Sequence, residues 1–219
     1  MAEINLLEKY PRTKRNLDER VAQKTEEDVR IAKKFCKEYF DGTRNQGYGG
    51  YSYDERFWSG AVKDFIKHYG LTKKSKILDV GCGKGFMLHD FRKALPGITV
   101  RGIDISEYAI ENSIEDVKPF ISVGNAKDLS EFLDKSFDLV ISINTIHNLK
   151  FDDCCQALKE IQRIGKHAFI TVDAYRNEEE RKKLLKWNLT AETYMHVGLW
   201  EKVFKFINYV GDYYWFIPE

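Results

Sequence analysis

From residue 76 onward the chain alternates between two rhythms of apolar and polar positions. Short runs that are apolar almost throughout, such as Leu139-Val140-Ile141, predict strands over 76–81, 99–104, 119–123, 137–142 and 167–173. Between them apolar residues recur at helical spacing and predict helices over 85–95, 106–116, 152–164 and 177–187. Strands without polar alternation are buried on both faces, so they pair in parallel beneath helices. Right-handed crossovers then give an α/β, doubly wound, mostly parallel sheet, with ligands at the carboxyl ends of its strands.

Residues 1–70 break this rhythm and read as an N-terminal helical extension; residues 71–219 form the ligand-binding domain. The first dozen residues are expected to be loosely ordered. Over 17–40 apolar positions are interleaved with dense charge; the later half, with Val29, Ala32, Phe35, Cys36 and Tyr39, fits one apolar stripe of a helix, and Asp41-Gly42 ends it. Residues 43–54 hold three glycines and three tyrosines, a composition unsuited to a regular element. Tyr48, Tyr51 and Tyr53 could exclude water from a ligand while the glycines permit closure, so this segment is expected to be a lid. A helix follows over 56–69. Towards the C-terminus Trp187, Tyr194 and His196 mark an aromatic substrate region, followed by a helix over 199–209 and a closing strand over 211–217.

The segment Lys76-Ile77-Leu78-Asp79-Val80-Gly81-Cys82-Gly83-Lys84-Gly85-Phe86 runs from an apolar strand into a glycine turn. Gly81, Gly83 and Gly85 let backbone approach a ligand closely. The spacing departs from the dinucleotide fingerprint at its last glycine, and no Gly-Lys-Ser/Thr closes a phosphate loop. Asp79 suits a cationic group such as an α-ammonium and would repel a pyrophosphate. In this loop, and in three further segments, the chain resembles the class I S-adenosylmethionine-dependent methyltransferases, a Rossmann-like family. Those segments are Val100-Arg101-Gly102-Ile103-Asp104-Ile105-Ser106, Ser122-Val123-Gly124-Asn125-Ala126-Lys127-Asp128-Leu129 and the run from Phe137 to Leu149.

The resemblance implies S-adenosylmethionine as cofactor. It places Gly81, Cys82, Gly83 and Gly85 around the methionine end and ribose, with Asp79 behind the loop. Asp104 would accept from the ribose hydroxyls, Ile105 would lie on the adenine face, and Asn125 with the Ala126 amide would read the adenine edge. Asn125 stands where the family commonly has aspartate. Asn144 would meet the sulfonium side or the substrate, and His147 is the candidate general base. The family usually closes its sheet with an antiparallel hairpin; here the stretch from Thr190 to Met195 must supply a strand or the sheet is shortened.

A formal charge of +1 removes the electrostatic case for an obligatory nucleic-acid partner. Cys36, Cys82, Cys154 and Cys155 have no metal or redox spacing, no Asp-Asn metal pair follows the fourth strand, and no metal is expected. The N-terminus lacks a signal pattern and no run matches a membrane helix, so the expected setting is cytoplasmic, without a membrane partner. A homodimer is compatible with this reading. No Asn-Pro-Pro-Tyr type motif follows the fourth strand, and the aromatic segments favour a small-molecule acceptor methylated on oxygen or nitrogen. Two alternatives stay open: intramolecular displacement releasing methylthioadenosine, and a non-catalytic cofactor-binding module.

Overall fold

Parallel pairing governs the whole sheet. The computed structural model describes residues 1–11 and 17–218; the rest of the expected N-terminal region and the last residue lie outside the described residues. The strands are β1 (Lys76–Val80), β2 (Thr99–Asp104), β3 (Ile121–Val123), β4 (Phe137–Ile143), β5 (Gly165–Tyr175), β6 (Met195–His196) and β7 (Asp212–Phe216). Their order is β3-β2-β1-β4-β5-β6, with β7 also paired to β5. Every pair among them is parallel. The chain reverses its direction of winding between β1 and β4, which opens a crevice at their carboxyl ends.

Alternating side chains divide the sheet into two faces. Leu78, Val80, Val140, Ile170 and Val172 pack with α7 (Phe151–Ile164) and α9 (Val197–Phe206). Ile77, Leu139, Ile141 and Phe169 pack on the other face with α4 (Glu55–Tyr69) and α5 (Phe86–Ala94). Both cores are dry, with fully buried rings at Trp200 and Phe204 on one side and Phe65 and Phe91 on the other.

The region 17–40, whose later half was expected to be one helix, holds three helices, α1 (Leu17–Gln23), α2 (Glu26–Ala32) and α3 (Lys37–Asp41). Thr25 and Asp28 form a reciprocal capping box that starts α2 afresh, with Asp28 N donating to Thr25 Oγ1 at 3.1 Å. Phe35, at φ 50, turns the chain out of helix before α3. The helix expected over 106–116 stops early as α6 (Glu107–Glu111), because the chain turns inward to bury Val117.

The two ends also differ from expectation. The first residues are ordered: Tyr213 N donates to Ala2 O at 3.0 Å and Ile4 N donates to Tyr213 O at 2.9 Å. The cause is the open edge of β7, whose unpaired peptide groups accept a further strand. Leu6 then enters the core beside α4. Near the C-terminus, Met195 and His196 alone form the extra strand, and neither β6 nor β7 is antiparallel. After α8 (Glu178–Trp187), α9 begins two residues before its expected start because the His196 ring caps it, accepting from Gly198 N at 3.0 Å.

The arm should therefore carry core energy. Leu6→Ala is expected to lower stability by about 2–3 kcal/mol in urea unfolding; a loss below about 0.5 kcal/mol would show that the arm is decoration.

Candidate active site

The bend after β1 works because two of its residues lack side chains. A Cβ on Gly81 (φ +88) would lie 2.0 Å from Thr145 Oγ1, and one on Gly85 (φ +78) would lie 2.6 Å from Val117 Cγ2. Gly83 differs, since its nearest neighbours would be rings, Tyr51 of the expected lid at 3.4 Å and Phe40 of α3 at 3.6 Å.

Four of the loop's amides are already occupied. Gly81 N and Cys82 N both donate to Ile103 O, at 2.8 and 3.0 Å, and Gly85 N donates to Cys82 O at 2.9 Å. Gly83 N donates to Asp104 Oδ2 at 2.8 Å. A phosphate cradle needs such groups free and converging. This turn offers an anion almost nothing, but it lets a nucleoside lie close against its backbone.

Above the loop and the ends of β4 and β5 lies a cleft of about 920 Å³, at the upper end of the range of roughly 300–1,000 Å³ usual for ligand sites. Asp79, Gly81, Cys82, Asn144 and His147 line it, as do Tyr48, Tyr51 and Trp187. Asp104, Ile105, Asn125 and Ala126 lie outside its wall, where β2 and β3 end side by side. Gly124 N donates to Asp104 O at 2.9 Å and joins those two ends, while Ile105 is exposed. Both Asp104 oxygens accept backbone amides, from Gly83 and from Ser106. Asn125 Oδ1 accepts from Lys127 N within its own turn.

The remaining five expected residues, Gly83, Gly85, Tyr53, Tyr194 and His196, also lie outside the cleft wall. Tyr53 instead clips the lid to α5, donating to Asp90 Oδ1 at 2.5 Å. His196 is engaged in capping α9 and contacts Arg176 O at 2.9 Å. Tyr194 immediately precedes β6.

Asn144 ends β4 in the left-handed region at φ 52, a conformation asparagine tolerates. Its backbone N donates to Thr171 Oγ1 at 2.8 Å, and that hydroxyl donates to Asn144 Oδ1 at 2.7 Å. The carboxamide is thereby oriented with its NH₂ as the donor end.

His147 is buried, and its Nδ1 accepts from Asp173 N at 3.1 Å. That bond puts the imidazole hydrogen on Nε2. Burial lowers its pKa to about 3. Such a ring donates a hydrogen bond well and accepts a proton at neutral pH poorly, which corrects the general-base expectation on physical grounds.

Two buried carboxyls share the cleft without a cationic partner among the described residues. Burial, and after it the charge of Asp104, raises Asp79 to about 7. Burial alone raises Asp173 to about 7. Sequence reasoning passed over Asp173, although an acid closing an otherwise apolar strand run was a visible signal.

It also missed the fastening of the lid. Lys84, buried under Tyr51, pairs with Asp41 at 2.6 Å and donates to Tyr51 O at 2.9 Å. Asp41 also accepts from Tyr51 N at 2.9 Å and from the Tyr108 hydroxyl at 2.7 Å. Among the described residues no group of three or more His, Cys, Asp or Glu is arranged to hold a metal ion, and no helix is long and apolar enough to cross a membrane.

Comparison with known proteins places this geometry among relatives. A methyltransferase-domain family model matches residues 71–211. The arginine-hydroxylase NDUFAF5 of Rattus norvegicus is 32% identical over 97 residues, 44% of this chain and 27% of that protein. The ribosomal protein L11 methyltransferase of Thermotoga neapolitana is 33% identical over 133 residues, 57% of this chain and 48% of that protein. The match thus spans about a quarter to a half of these relatives' length. Among solved structures, the YcgJ protein from Bacillus subtilis superposes with TM-score 0.53 at 22% identity, covering 67% of this chain and 66% of that one. A chain from the complex of the Haloferax volcanii Trm112 methyltransferase activator gives TM-score 0.53 at 22% identity, covering 68% and 74%. Both share the fold.

The raised Asp79 pKa has a stability consequence of definite sign. The folded state holds this proton more tightly than the unfolded chain, whose carboxyl titrates near 3.8. The contribution is therefore most favourable at low pH and is lost as pH rises from about 4 to about 7. Asp79→Asn should be stabilised relative to the parent at pH 8, on the order of a few kcal/mol, with the gap closing towards pH 4. Denaturant midpoints across that range check this, and a gap that ignores pH would refute it.

Proposed function

The chain belongs to the methyltransferase-domain family, and on that premise we propose that it transfers a methyl group from S-adenosylmethionine to an oxygen or nitrogen of a small molecule. The family match makes it an S-adenosylmethionine-dependent methyltransferase domain of class I fold. The small-molecule acceptor rests on the cleft itself. One observation carries the reading: the side-chain-lean bend, with four of its amides already bonded internally, stands over a buried, uncompensated acid.

These residues fit the cofactor. Asp79 would balance the ammonium of its methionine end, Gly81 and Gly83 would let that end lie against backbone, and the shelf of Asp104, Ile105, Asn125 and Ala126 would receive the nucleoside. Asp104 can still accept ribose hydroxyls through its remaining lone pairs. When bound, S-adenosylmethionine supplies an electrophilic methyl on a positively charged sulfur. The protein's part is to orient the acceptor and keep the site dry. Tyr51, seated over Gly83 and fastened through Lys84, would exclude water from the methionine end. Asn144 and His147 would donate hydrogen bonds to the acceptor. The name arginine-hydroxylase borne by some relatives favours a second reading, in which the same cleft holds the cofactor for chemistry other than methyl transfer.

Mass spectrometry of turnover mixtures separates the readings. Methyl transfer leaves S-adenosylhomocysteine and an acceptor heavier by one CH₂ unit, whereas intramolecular displacement leaves methylthioadenosine. Calorimetry with S-adenosylhomocysteine tests the site directly: Gly83→Val is expected to weaken binding at least about tenfold, roughly 1.4 kcal/mol. The parent protein should release a proton on binding at pH 6.5, because the ligand's ammonium favours ionised Asp79. A binding heat independent of buffer ionisation enthalpy would contradict that assignment.

A further inference from the structure

We infer that the acceptor is a cationic amine, and that the carboxylate of Asp173 at the end of β5 holds its ammonium and takes its proton. This rests on the methyltransferase reading and names its acceptor class.

The argument begins with charge. Asp79 and Asp173 both line the cleft, and neither carboxyl has a lysine or arginine partner among the described residues. The described cations at the rim are engaged elsewhere: Arg44 with the Tyr48 carbonyl, Arg176 with Glu3 and Glu180, Lys183 with Glu179, Arg56 with Asp54. β1 and β5 are separated by β4, so the two acids stand on strands about 10 Å apart, two strand spacings. One ammonium cannot balance both. With Asp79 given to the cofactor, Asp173 is left for a second cation.

Its surroundings suit one. The residue is 4% exposed, and it lines the cleft. The nearest polar ring, His147, offers it no proton from Nδ1, because that atom already accepts from Asp173 N. Trp200 Nε1 donates to Asp173 O at 3.0 Å and holds the backbone in place. Tyr39, Tyr48, Trp58, Trp187 and Tyr214 line the same space, and their faces attract a cation. Burial also makes this carboxyl a stronger base than an ordinary aspartate. The proton balance is simple: R–NH₃⁺ gives one hydrogen ion to the Asp173 carboxylate, which becomes the neutral acid. The amine keeps two hydrogens and gains a free lone pair for methylation.

The test uses the full-length protein saturated with S-adenosylhomocysteine, titrated in a calorimeter with matched probes. Tryptamine and phenethylamine are compared with tryptophol and phenethyl alcohol. The amines should bind at least about tenfold more tightly than their alcohols, and Asp173→Asn should remove that advantage while leaving S-adenosylhomocysteine affinity within about twofold. Equal binding of amines and alcohols, no binding of either, or an advantage that survives Asp173→Asn would overturn the proposal. A selective loss of S-adenosylmethionine affinity over S-adenosylhomocysteine in that variant would also overturn it, placing the carboxylate against the sulfonium. If the variant fails to fold, the amine–alcohol comparison on the parent protein decides alone. Failure of the parent to bind S-adenosylhomocysteine would instead bring down the methyltransferase reading.

Discussion

A single carbonyl, that of Ile103 at the end of β2, fixes the site. It accepts two successive amides of the bend after β1, and the Asp104 carboxylate one residue on accepts a third. Buried backbone groups must find partners, and here the neighbouring strand supplies them. The bend can then turn without water, helix dipole or bound anion to satisfy it. Gly81 and Gly83 give it no side chains of their own, and the acid beneath it has no lysine or arginine partner among the described residues.

That arrangement governs the lid as well. Lys84 sits within the bend, and burying its ammonium calls for a partner close by. Asp41 at the end of α3 meets it and also gathers Tyr51 N and the Tyr108 hydroxyl. The glycine- and tyrosine-rich segment 43–54 is thus fastened at Tyr51 to the loop it covers. At the mouth of the cleft the fastenings are of another kind. Lys186 pairs with Asp18, Lys33 with Glu192, and Lys24 donates to Asn188 O, mostly in exposed positions. Exposed pairs contribute little and are screened by salt.

Much of this was legible in the sequence. Strands buried on both faces announced a parallel sheet, and Asp79, the three glycines and Asp104 announced the bend and its neighbouring strand. Local chemistry set those features, so local reading found them. Where two local signals competed, periodicity gave way: the region 17–40 is broken by the capping box at Thr25 and the turn at Phe35. The first residues alternate apolar and polar over Ala2-Glu3-Ile4-Asn5-Leu6, yet they could not name the edge they complete, because the open peptide groups belong to β7, more than 200 residues away.

The sequence by itself determined the sheet, its switch point and the character of the bend, since each follows from side-chain size and spacing along one stretch of chain. Tertiary structure decided the electrostatics. His147 reads as a base from its type and position, yet the Asp173 amide, 26 residues on, fixes its tautomer and burial holds it neutral. Asp173 reads in sequence only as an acid closing an apolar strand run, yet enclosure between distant aromatic segments leaves its carboxyl without a lysine or arginine partner among the described residues. A proton's affinity for a group depends on everything packed around it, and that packing exists only in the folded chain.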